Sequence, residues 1–112
     1  MVVKTSSSPF GSTSRTRVLL ALCLMVESFP RELERVLDTP LSALQRALSS
    51  LEKDGMVAGR SVGRTRVFRL DPRYFAARDL QRYLQRLAEP EGDLRKRIAL
   101  LRRRPRRTAK PL

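Results

Sequence analysis

Apolar positions along this chain alternate between two rhythms, and the change of rhythm marks its elements. Leu41, Leu44, Leu48 and Leu51 recur at steps of three and four, which places them on one side of a helix predicted over 40–54. The other side carries Ser42, Ala43, Arg46, Ser49, Ser50 and Lys53. Thr39 is expected to cap this helix, Pro40 to open it and Gly55 to end it in the left-handed conformation. Upstream, Val18 to Val26 is an unbroken apolar run after Arg15 and Arg17. It predicts a helix capped by Ser12, Thr13 or Ser14 and apolar nearly all round, hence buried on several sides, one of which could be covered by a second subunit. Between these two, Pro30 opens a short helix with Leu33, Val36 and Leu37 on one face, and only Asp38 and Thr39 separate it from the next. Two helices so closely joined form a helix-turn-helix.

From Met56 the rhythm shortens to two. Gly63-Arg64 suits a two-residue hairpin turn with positive φ at its first central position. The register that follows sets Val62 opposite Thr65, Arg60 opposite Val67 and Gly59 opposite Phe68. Val57, Gly59, Phe68 and Leu70 then share one face, and Arg60, Val67 and Arg69 the other. Asp71-Pro72 ends the hairpin, and helix is expected from Arg73 onward, with Phe75 or Ala76, Leu80, Tyr83, Leu84 and Leu87 on its apolar side. Arg78, Arg82 and Arg86 make a stripe on another side. The EPEGD stretch, 89–93, is the expected linker, followed by a short helix capped by Asp93 with Leu94, Ile98 and Leu101 on one face. Residues 1–9 read as a flexible arm, with Phe10 as its anchor on the domain, and 102–112 as a disordered basic tail.

Composition narrows the function. Within 112 residues there is room for one small domain, and a formal charge of +13 points to a polyanion partner, nucleic acid before a membrane surface. One cysteine, Cys23, and no histidine leave no zinc site and no disulfide within a chain. No His base, Cys-His pair, phosphate-cradling glycine loop or carboxylate dyad offers a seat for catalysis, so neither an enzyme nor a cofactor is expected. The apolar run 18–26 is too short to cross a membrane and lacks a signal-peptide cleavage site.

The order of elements and several short motifs together resemble a known family. Phe10-Gly11-Ser12, the Arg15 to Leu20 opening, Arg31-Glu32-Leu33, the Leu51 to Val57 joint and the Gly63 to Pro72 hairpin are similar to ArsR-type winged helix-turn-helix transcriptional regulators, over roughly 10–87. The Phe-Gly-Ser opening resembles the metal-independent members, and the clustered Cys and His ligands of the metal sensors are lacking. The resemblance implies a mainly α fold with a β-hairpin wing, dimeric through the first helix and the helix after the wing.

The expected function is that of a cytoplasmic, sequence-specific regulator on double-stranded DNA, a homodimeric repressor with a winged domain over 10–88 and a basic extension over 94–112. Base contacts are expected from Ser42, Arg46 and Ser49, and phosphate or wing contacts from Lys53, Arg60, Arg64, Thr65 and Arg66. Arg102, Arg103, Arg104, Arg106 and Arg107 would add phosphate contacts from the tail. Leu20, Leu24, Leu80, Tyr83, Leu84 and Leu87 are the expected dimer interface. A protein encoded nearby is a further candidate partner. Two other readings stand beside this one: an adaptor or antitoxin-like interaction module, and a non-specific nucleic-acid binder driven by the tail.

Overall fold

A computed structural model describes residues 9–103. At its centre is α1, Thr13–Met25, whose first turn is capped as its sequence suggests: Ser12 Oγ accepts the Arg15 N–H at 3.1 Å. Val18, Leu19, Leu20, Ala21 and Leu22 are all buried, because other elements of the same chain surround the helix. These are α2 (Pro30–Leu37), α3 (Leu41–Lys53), strand β3 (Thr65–Leu70) and α4 (Ala77–Ala88). An all-round apolar helix is thus covered within one copy of the chain. Leu20 has no surface left for a second subunit, and only Cys23 and Leu24 remain half-buried within the run Val18 to Met25.

At the end of α1, Val26 adopts φ 77° and ψ −53°. This is γ-turn geometry, costly for a β-branched residue, and its side chain is 74% exposed. The turn sends Glu27–Ser28 back as a short strand, β1, beside β3, with Glu27 opposite Arg69 and Ser28 opposite Phe68. Replacing Val26 by glycine is expected to raise stability by about 1 kcal/mol, the relieved backbone strain outweighing the glycine's extra freedom when unfolded. Urea unfolding checks this as a higher midpoint at unchanged slope.

Pro30 occupies the first turn of α2, and Asp38 closes the helix in the left-handed region at φ 51°. Thr39 departs from its expected role. Its hydroxyl donates to the Leu37 carbonyl and accepts from Arg17 Nη1, both at 3.0 Å, and the residue is buried. Capping of α3 is lost to this more enclosed pairing, and the helix starts after Pro40 with no side-chain cap. Its far end follows expectation: with Gly55 at φ 78°, Gly55 N–H bonds the Glu52 carbonyl and Met56 N–H that of Leu51, both at 3.0 Å.

The hairpin has the register its turn dictates. Strand β2, Val57–Val62, pairs antiparallel with β3, including Gly59 opposite Phe68 and Val62 opposite Thr65, and Gly63 has φ 64°. The sheet order is β1-β3-β2. After β3 the expected helix is delayed. Asp71 Oδ1 accepts the Arg73 N–H at 2.9 Å, and turns at Tyr74 and Ala77 hold the backbone until α4 begins at Ala77. Phe75 therefore stands in solvent instead of joining the apolar face of that helix. Leu80, Leu84 and Ala88 turn inward against α1. Leu84 is fully buried, so it too is core and not interface; Leu80 is nearly so, while Tyr83 is exposed and carries the Phe10 ring at 5.8 Å between centroids.

The last described helix, α5 (Gly92–Arg103), packs on α2 and α1. Leu94 and Ile98 enter the same core, with Leu101 packed against it, so 94–103 belongs to the folded domain and is no extension of it. Glu91, within the expected linker, is fully buried. Arg102, expected on phosphate from the tail, is exposed and donates Nη2 to the Met25 carbonyl at 2.7 Å, a cation at the negative end of α1. The expected contacts of Arg104, Arg106 and Arg107 lie outside the described residues, as does the side chain of Arg103. No helix among the described residues is long and apolar enough to cross a membrane.

Candidate nucleic-acid interface

With Leu44, Ala47, Leu48 and Leu51 buried, α3 presents a ridge of exposed side chains: Ser42, Gln45, Arg46, Ser49 and Lys53. Their steps of three and four place them on one line along the helix. Gln45 was missed by the sequence reading, although its position three after Ser42 and four before Ser49 was the available signal. An amide there is suited to adenine and the Arg46 guanidinium to guanine. Ser50 lies off the ridge, its Oγ accepting from Arg15 Nη1 at 2.5 Å, and Arg15 also reaches Asp54 at 2.8 Å. Arg15 thereby ties the start of α1 to the end of the ridge helix.

An ion pair fastens the wing to that helix. Arg66 donates Nη1 to Glu52 Oε1 at 3.1 Å and Nη2 to Oε2 at 2.9 Å, while its guanidinium carbon lies 5.0 Å from the Phe68 ring centroid. Gly59 makes room for this stack. A Cβ there would come within 2.5 Å of Arg66 Nη2 and 2.7 Å of Phe68 Cε2. Arg66, expected on phosphate, is paired with Glu52 in this structure. Arg60 is likewise paired, with Glu27 at 3.0 Å across the sheet, and about half of its side chain stays exposed. Arg64 and Thr65 at the tip, and Lys53 at the end of α3, stay exposed with no ion pair among the described residues.

The Arg66 hydrogen bonds hold the Glu52 carboxyl below the usual carboxylate range, and Glu52 in turn raises Arg66. A lowered carboxyl contributes stability above its ordinary pKa and loses it as pH falls through the lowered value. Glu52→Gln is therefore expected to lower the urea midpoint at neutral pH, with the gap to the parent protein closing as the solution is acidified below the carboxylate range. A gap of constant size across pH would contradict the pairing.

Between the start of α2, the ridge and the wing lies a cleft of about 500 Å³. Phe29, Leu48 and Phe68 line it together with Gln45, Ser49 and Arg64. Elsewhere, burial pushes the Cys23 thiol up. Among the described residues no group of three or more Cys, His, Asp or Glu comes together to hold a metal.

A helix-turn-helix followed by a hairpin that is latched to its second helix decides the architecture. The fold is a winged helix-turn-helix. Solved structures agree. The adhesin competence repressor AdcR of Streptococcus pyogenes superposes with TM-score 0.59 at 20% identity, covering 84% of this chain and 68% of that one. ZitR of Lactococcus lactis superposes with TM-score 0.58 at 17% identity, covering 94% and 70%. No family model and no curated protein matches the sequence.

Proposed function

We propose that this chain is a sequence-specific regulator of transcription that binds double-stranded DNA as a homodimer and acts as a repressor. The observation that carries the reading is the exposed Ser42-Gln45-Arg46-Ser49-Lys53 ridge beside a wing fixed to it through Glu52 and Arg66, in a chain of net charge +13. Ridge side chains read base edges in the major groove, and Arg64, Thr65 and Lys53 hold the flanking phosphates. A repressor is named among the solved structures with this fold, which favours the same role here. Two copies joined through the half-exposed side of α1 and α4, at Leu24, Tyr83 and Leu87, would set two ridges about one helical turn apart on the duplex. The ArsR-type resemblance is the finer part of this reading and rests on the motifs at 10–12, 31–33, 51–57 and 63–72.

Selection of genomic fragments on the full chain, at two salt concentrations, tests it. One inverted-repeat motif is the expected result. Repeating the selection with a chain ending at residue 103, which keeps Leu94 and Ile98 in place, should recover the same motif with a shallower salt dependence. Absence of any motif from both proteins would overturn the reading.

A further inference from the structure

A second surface, separate from the ridge and the wing cleft, lies between α2 and α5. Arg35, Val36, Arg97, Leu100 and Leu101 line a groove of about 410 Å³ there, and none of them borders the cleft beside α3. Its chemistry is mixed. Leu100 is 59% exposed, on the same groove as the buried Val36 and half-buried Leu101, so the floor is apolar. Arg35 and Arg97 stand on opposite walls, one from each helix, and neither makes an ion pair among the described residues. Two unneutralised guanidinium groups flanking an exposed leucine fit a ligand that offers carboxylates and an apolar side chain together. A phosphate backbone offers the first and not the second.

This chain itself is a poor source of that ligand. Residues 1–8 and 104–112 contain no Asp or Glu. Of the acidic residues in a second copy, Glu27, Glu34, Glu52, Asp54, Asp71, Asp79 and Glu89 are already in ion pairs, and Glu32 and Glu91 are buried. Asp38 and Asp93 are the exposed acidic residues outside those pairs. We propose that the α2–α5 groove is a docking site for an acidic, amphipathic segment of a different protein. Apolar side chains of that segment cover Leu100, and its carboxylates pair with Arg35 and Arg97. The groove and the ridge share no residue.

Selection from a displayed library of random 12-residue peptides on the full-length protein, followed by anisotropy titration of the best synthetic peptide, tests the proposal. Enriched peptides are expected to combine carboxylates with large apolar residues. Leu100→Ser, at an exposed position that leaves the fold intact by circular dichroism, should weaken the peptide at least about fivefold. Arg97→Glu should weaken it at least about tenfold, and both variants should bind duplex DNA as the parent does. The proposal falls if no such pattern is enriched, or if a peptide with its apolar residues changed to serine binds equally well, since charge alone would then explain capture. It falls as well if Leu100→Ser leaves peptide affinity unchanged. Loss of DNA affinity in Leu100→Ser would assign the groove to the nucleic-acid footprint, and a changed sedimentation coefficient would assign it to self-association; either result overturns the proposal. Arg46→Ala, which acts on the ridge, should leave peptide binding untouched, so failure here is separable from failure of the DNA reading.

Discussion

Leu84→Ala is expected to reduce the unfolding free energy by about 2 to 5 kcal/mol, independently of protein concentration. Leu84 is fully buried within a single copy of the chain, on the inward face of α4 against α1. Truncation removes three carbons from a packed site and leaves a cavity that the flanking helices only partly close. A residue at a dimer contact would behave differently. Its removal would weaken association, and the loss in thermal midpoint would shrink as protein concentration rises. Melting Leu84→Ala and Tyr83→Ala over a wide concentration range separates the two, because the Tyr83 side chain is exposed and available to a second copy. A concentration-dependent deficit for Leu84→Ala would mean that α4 rearranges on association.

Arg46→Ala is expected to reduce discrimination between the selected site and random duplex by about 1 to 3 kcal/mol, roughly 5- to 140-fold. The guanidinium is exposed in the middle of the ridge, between Ser42 and Ser49, on the face that the proposed function sets against the major groove. A bidentate contact to one base is lost on that site and has no counterpart on random sequence. Arg64→Ala should instead weaken both duplexes alike and lower the salt dependence, since a wing-tip cation on phosphate carries no sequence information. Equal losses on both duplexes for Arg46→Ala would remove it from base reading. Gln45→Ala, on the same line of the helix, then becomes the next substitution to measure.

What was legible in the sequence was local. The three-and-four spacing of Leu41, Leu44, Leu48 and Leu51 determined which side of α3 is core and therefore which side is free to meet a groove. Gly63, which readily takes positive φ, fixed the hairpin turn, and a two-residue turn fixed every pair of the β2–β3 register. Gly55 ended α3 for the same conformational reason. These outcomes depend on backbone geometry within a few residues, so the linear order suffices.

The tertiary structure decided which partner each side chain found. The spacing of apolar residues says that α1 is apolar all round, but not that the chain's own helices and sheet cover Leu20, which only the packing shows. Arg66 was legible as basic and near the turn; that it grips a carboxylate 14 residues away on α3 follows from the angle between wing and helix. Arg102 meets a carbonyl 77 residues earlier because α5 folds back over the end of α1. Glu27–Ser28 has no strand pattern of its own and becomes β1 only because the turn at Val26 lays it against β3. Side chains as long as arginine reach whatever anion or carbonyl folding brings near them, and this is why the ridge could be read from spacing while the free and the committed cations could not.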